Sequence, residues 1–463
     1  MRIRSQTAEY YLIIAALFFT FFYFVLRSLV FDVFAWVAIV PIIGFLYMVR
    51  VGPRFMRFHM GGLDWVFLLY AGYGVTMTLA SIFLLSYSKT LSITTFVHFY
   101  APTIVYFLAR SYTRGSPANV VRLTNVVWVL AAILVVDVVI EYYVGVVRGT
   151  PLSIPWVRNV VDKIPYMTEE LWYAHGFHKV RSILSGLKPT GMVAAALFAF
   201  IAPFFYVRWT SRLRQPWGRT WQFSNVLNVT LMVGLIFAVF VVNNKAAMFA
   251  GIIALALGFV LTRSVKLVVF ATLITAFGLA FQAETIENVV VSVFVQPDAS
   301  PTGEIQPSTF RSIIDYRRVV TGYAQTDVYS IILGQVSGTS GQTGLTEAGF
   351  SEARGLAFPL YFGMGWTVIV AAGTTLLVRY VLTLLRSEQW GILGLSLMGF
   401  LVIYFSDQHY PSFMRHGPFE LFLVMAGMLS SARELVKTRA TATRPRTVAP
   451  ESDVPMARGT RLG

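Results

Sequence analysis

The chain has no cysteine among its 463 residues, which excludes disulfides, thiolate metal sites and lipidated cysteines. Charge is scarce as well. Only 13% of residues are Asp, Glu, Lys or Arg, against roughly 25% in an average soluble domain. Acids are the rarer sign, 22 against 37 Lys and Arg. No Walker sequence, dinucleotide fingerprint or HExxH occurs, so ATP-driven transport by this chain and zincin proteolysis are not supported. What dominates is apolar: 56% of residues are hydrophobic. They fall into runs of about 17–25 residues, enough to cross a hydrocarbon core of roughly 30 Å. Such runs exclude a soluble enzyme, and also a porin-type barrel, whose strands alternate in character. The sequence predicts an all-α polytopic membrane protein.

Hydropathy places twelve transmembrane helices near 10–26, 29–49, 63–85, 92–109, 122–144 and 190–207, then 225–243, 246–262, 266–282, 356–378, 390–405 and 418–431. Arg2 and Arg4 precede the first run, which is read as a retained span because no small-residue cleavage site follows it. The net charge is +15, and its placement points to topology and anionic lipid, not to nucleic acid. With the N-terminus inside, 23 basic residues fall on inside segments. The four short outside connections hold one each: Arg27, Lys89, Lys245 and Arg415. Both termini are therefore expected in the cytoplasm.

Two long loops, at about 145–189 and 283–355, then face outwards, with short helices expected in them. Connections of that length on a rigid scaffold are usually functional or disordered. The first is rich in Trp, Tyr and Ile. The second offers a helix at STFRSIIDYRRVVTGY, with Ser308 as N-cap and Gly322 as stop. Residues 1–432 form one transmembrane domain on this reading, and 433–463 a basic, disordered cytoplasmic tail. No internal repeat is visible.

Candidate chemistry concentrates in those loops. Arg311, Asp315 and Arg318 share one face of the loop helix with Gly322, and Arg317 is adjacent. They are either a surface pair worth a few tenths of a kcal/mol or a guanidinium cluster matched to phosphate oxygens. Arg181 precedes the sixth span, as an anion ligand or a snorkelling interfacial cation. Lys245, in NNK between two spans, is either an anion ligand or a turn anchor. Glu352 lies at the end of the second loop, where a raised pKa would suit general acid or base work; an exposed neighbour of Arg354 is the plainer alternative. Asp137 and Glu141 are i, i+4 near the outer end of the fifth span. They line a cavity, or pair at the interface. Asp407 and His409, with His416, sit in the last outside loop and line the same cavity or a hydrated turn. His175 and His178 lack a third ligand nearby in sequence, so no metal site is assigned.

Four places resemble the O-antigen polymerase and ligase superfamily of bacterial envelope glycan assembly. Arg181, Gly186, Pro189 and Thr190 are similar to its Arg…Gly…Pro-Asn before a span, with Thr for Asn. Asn244-Lys245 stands where members carry Ser-Arg at a tight outer turn. Arg311 ahead of Gly322 resembles the Arg and Gly of the second loop. Glu352 stands where ligases have His, ahead of Gly363-x-Gly365 in place of Gly-x-x-Gly. Polymerases are more permissive there and often carry an acid. The resemblance covers roughly residues 175–380.

The resemblance implies a metal-independent integral-membrane glycosyltransferase of the bacterial inner membrane, with no cofactor and its site facing the periplasm. It would transfer an undecaprenyl-pyrophosphate-linked oligosaccharide onto the terminal sugar of a second lipid-linked repeat, as an O-antigen or exopolysaccharide polymerase. Arg181, Lys245 and Arg311 would hold the pyrophosphate, supported by Arg317 or Arg318, and Glu352 would be the general base. Partners would be the lipid bilayer, a chain-length regulator and a flippase. The alternatives are an O-antigen ligase using lipid A-core, and a flippase or secondary transporter.

Overall fold

In the computed structural model of the chain, the described residues are 2–21, 42–50, 60–84, 89–143, 187–210, 225–241, 269, 298–299, 305–306, 320, 324, 354–387, 390–406 and 419–442. They are almost entirely helical. A helix satisfies every interior peptide group within its own segment, so an apolar run of this length closes its backbone hydrogen bonds without help. The main helices are α1 (Arg2–Phe21), α2 (Gly62–Leu84), α3 (Lys89–Thr113), α4 (Pro117–Glu141) and α5 (Leu187–Thr210). They continue with α6 (Asn225–Val241), α7 (Arg354–Leu385), α8 (Gly391–Ser406) and α9 (Phe419–Ala442). A shorter helical stretch covers 42–50. Among the described residues the one ladder is a two-residue antiparallel pair, β1 (Asp298–Ala299) with β2 (Ile305–Gln306).

These helices coincide with the apolar runs read from the sequence, within a few residues at most ends. The runs at 246–262 and 266–282 fall outside the described residues, apart from residue 269. Among the described residues two helices, Pro117–Glu141 and Gly363–Leu385, are long and apolar enough to cross a membrane. The last helix differs from expectation. α9 continues through Ala442, well into the segment expected to be a disordered tail. Its added turns are held: Glu434 pairs with Arg110, and the Arg433 guanidinium lies 3.8 Å above the ring of Tyr380.

Chain direction places the helix ends. α3 packs against α1, α2 and α9, and turns into α4 through a tight corner. Gly115 there has φ 65°, a left-handed conformation that glycine adopts without a Cβ penalty. Ser116 then caps α4 by accepting from the Asn119 N–H, and Pro117 occupies the first turn. α7 runs antiparallel to α2, since Gly62 abuts Leu376 and Tyr380 while Gly365 abuts Tyr73. α6 runs parallel to α4: Gly234 abuts Val135, and Phe237 stacks edge-on to Tyr142. The ends Glu141 and Val241 therefore share one end of the bundle, from whose side α7 runs over Gly365–Tyr380. The α3–α4 corner marks the other.

Candidate functional site

The described residues hold one dense cluster of buried ionisable groups, at the α3–α4 corner end. It begins with how α2 starts. Gly61 is the N-cap, accepting from the Trp65 N–H, and Asp64 follows at the third helical position. Its Oδ2 accepts from the Gly61 N–H at 2.7 Å, the returning half of a capping box. The Leu63 N–H is met by the Tyr380 hydroxyl at 3.2 Å. Two donors that a helix start leaves without intrahelical partners are thereby satisfied by a carboxylate and a phenol.

Asp64 is 1% exposed and Arg110, from the end of α3, is 3% exposed. Charges so buried persist only when paired and hydrogen-bonded. The Tyr106 hydroxyl donates to Asp64 Oδ1 at 2.6 Å, and the Arg110 Nε stands 3.5 Å from the same oxygen. The far side of the guanidinium reaches α9, donating to Ser431 Oγ at 3.0 Å and to Glu434 Oε2 at 2.5 Å. Thr113 donates to Ser431 at 2.8 Å, and Ser431 donates to the Arg110 carbonyl at 3.1 Å. Arg114 lies 3.7 Å from the other oxygen of Glu434. The ring of Tyr106 stacks on Phe67 with centroids 3.9 Å apart, which fixes the phenol that faces Asp64. One arginine thus ties the start of α2, the end of α3 and the middle of α9 together.

A second knot sits beside it, at the next residue of α3, Ser111. Glu9, one residue before the apolar run of α1 begins, is 4% exposed. Its Oε1 accepts from Ser111 at 2.8 Å and from Tyr47 at 3.4 Å. Burial pushes the Glu9 carboxyl up to about 7, although both hydroxyls pull it down. The sign of the consequence follows. Between the ordinary carboxylate value and 7 the folded state holds a proton that the unfolded state releases, so stability falls as pH rises through that window. Thermal unfolding should therefore occur at lower temperature at pH 8 than at pH 5, and Glu9→Gln should flatten that slope. Identical slopes in the two proteins would refute the assignment.

Of the residues singled out from sequence, Asp137 and Glu141 are described. Both are half-buried near the end of α4, and each interacts with a neighbour. Helix rise puts them roughly 30 Å from the Asp64–Arg110 cluster, at the other end of the bundle. Arg181, Lys245, Arg311, Arg317, Arg318, Glu352, Asp407 and His409 lie outside the described residues.

The sequence alone does not single out Asp64, Arg110, Glu434 or Glu9. Asp64 had a signal of its own: a lone acid inside GGLDWVFLL, where an unpaired charge would be costly. The chain was compared with protein-family models, with curated proteins and with solved structures, and it matches none of them.

Proposed function

We propose that the chain is a polytopic inner-membrane glycan polymerase, with about twelve spans, both termini cytoplasmic and its reacting groups at the periplasmic face. The observation that carries the reading is the sharing of one bundle end by the ends of α4 and α6, from whose side α7 also runs. Asp137 and Glu141 sit at that end, and in the chain Lys245 follows α6 and Glu352 precedes α7. Basic residues mark the opposite end, with Arg110, Arg114, Arg122, Arg379 and Arg433 there, as expected of a cytoplasmic face.

The chemistry asks for two things. Departing pyrophosphate needs cations where charge develops, and Arg181, Lys245 and Arg311 supply them, supported by Arg317 and Arg318. The attacking sugar hydroxyl needs a base, and Glu352 takes its proton while the hydroxyl oxygen bonds to the donor's anomeric carbon. The bond from that carbon to the pyrophosphate breaks, leaving undecaprenyl pyrophosphate and a lengthened lipid-linked chain.

Purified protein given a lipid-pyrophosphate-linked repeat should build a ladder of longer products. Glu352→Gln is expected to slow extension about 100-fold, and Arg311→Ala to weaken donor binding about 10-fold. Normal extension by Glu352→Gln removes the base. No ladder from the unaltered protein, but transfer of a finished chain to added lipid A-core, makes it a ligase.

The Asp64–Arg110 pair, buried within the bundle, raises a second reading, a flippase or secondary transporter, because paired ionisable groups shielded from water can mark ion pathways. Its geometry fits a structural clasp better. The carboxylate is already taken by Tyr106, Gly61 and Arg110, and the guanidinium by α9. Uptake of lipid-linked repeat into vesicles without any extension would restore the transport reading.

A further inference from the structure

α7 is broken at a point where its apolar sequence would let it run on. Gly363 has φ 83° and ψ 166°, a region that essentially only glycine enters. It divides the helix into an outer half, 354–362, and an inner half, Gly363–Leu385. The inner half is fixed. Trp366, Leu377, Tyr380, Val381 and Leu384 are buried. Against α2, a Cβ on Gly365 would come within 2.7 Å of the Tyr73 ring, so that junction cannot close further.

The direction in which the outer half leaves the break therefore depends on one backbone, with Pro359 a turn beyond it. Nine residues of helix reach about 13 Å from the break, so a 30° change of direction at Gly363 moves the Arg354 end by roughly 7 Å. Displacements of about 1 Å at reacting groups already cost on the order of 100-fold in rate.

We infer that Gly363 is a positioning residue: its glycine-only backbone sets the direction of the half-helix that begins two residues after Glu352. The role in catalysis rests on the polymerase reading, whereas the pivot itself rests on the kink alone. An alanine at Gly363 disfavours the kinked backbone by roughly 5- to 150-fold, and the helix straightens.

The lack of cysteine makes the test clean. Spin labels on cysteines introduced at Leu360 and Thr375 straddle the break without spanning Pro359, fifteen residues apart. A continuous helix would separate their Cα atoms by about 22 Å. The same spacing inside the inner half, at Val368 and Thr383, supplies the straight reference. The expected result is a shorter distance across Gly363 than in the reference, and a distance lengthened towards the reference in Gly363→Ala. Without labels, Gly363→Ala should lower kcat for chain extension about 10-fold or more, with KM for the lipid-linked donor within about twofold. Gly72→Ala, whose Cβ meets open space, should change neither.

A wild-type distance equal to the reference overturns the pivot, even if Gly363→Ala fails to fold. So does a distance that Gly363→Ala leaves unmoved. A lengthened distance with unaltered kcat overturns the positioning role. Kinked distances in a wild-type protein that extends no chain overturn the polymerase reading and the role in catalysis together, and leave the pivot standing.

Discussion

Arg110→Met is expected to lower the stability of the protein by about 3–5 kcal/mol, the usual cost of breaking a buried ion pair from one side. Methionine retains most of the stem and removes the guanidinium. Asp64, 1% exposed, then keeps only the Tyr106 hydroxyl and the Gly61 N–H. Ser431 loses a donor on α9. Glu434 loses its closest cation too, but its side chain is 32% exposed and water takes the vacated place. Glu434→Gln should accordingly cost no more than about 1 kcal/mol.

The decisive comparison is with the double variant. Asp64→Asn together with Arg110→Met removes both charges, so the double variant should recover at least about 1 kcal/mol relative to Arg110→Met. Thermal unfolding in one detergent, followed by the emission of the 10 tryptophans, measures all five proteins: unaltered, Arg110→Met, Asp64→Asn, their double variant and Glu434→Gln. Strict additivity of the two changes would mean that the carboxylate and the guanidinium do not support each other.

This cluster also shows where the sequence stops being legible. Apolar runs announce helices because backbone satisfaction and hydrophobic length are local properties, and α2 through α6 lie where the runs lie. Gly115, Ser116 and Pro117 announce the corner between α3 and α4 for the same reason. That Asp64 meets Arg110 is not local: 46 positions separate them, and Glu434 comes from more than 300 positions further on. Arg110 and Glu434 look like ordinary flanking charges until α2, α3 and α9 are packed. The end of α9 was misjudged on the same ground. Its polar composition reads as a tail, while the contacts of Arg433 and Glu434 with α7 and α3 hold it in a helix. The break at Gly363 is hidden in another way, because glycine permits a kink without requiring one. The proposed site is legible as chemistry only, a series of cations followed by an acid.

Gly427→Leu is the second large effect, and the argument for it is steric. A Cβ on Gly427 would stand 2.8 Å from Ala109 Cβ, 2.9 Å from the Arg110 nitrogen and 3.0 Å from the Tyr106 carbonyl oxygen. Two of these three atoms are backbone and cannot rotate away, so α9 must move off α3. Ser431, one turn along the same face, then loses its reach to the Arg110 carbonyl and to Thr113. The expected cost is about 1–3 kcal/mol for Gly427→Ala and about 3 kcal/mol or more for Gly427→Leu. Gly72→Ala introduces the same methyl group into open space on α2, where helix propensity alone acts and stability should rise by up to about 1 kcal/mol. Propensity favours alanine equally at both positions, so opposite signs in unfolding temperature isolate the packing of α9 against α3. If Gly427→Ala also raised that temperature, the helices would have room between them, and the clasp around Arg110 would not depend on their close approach.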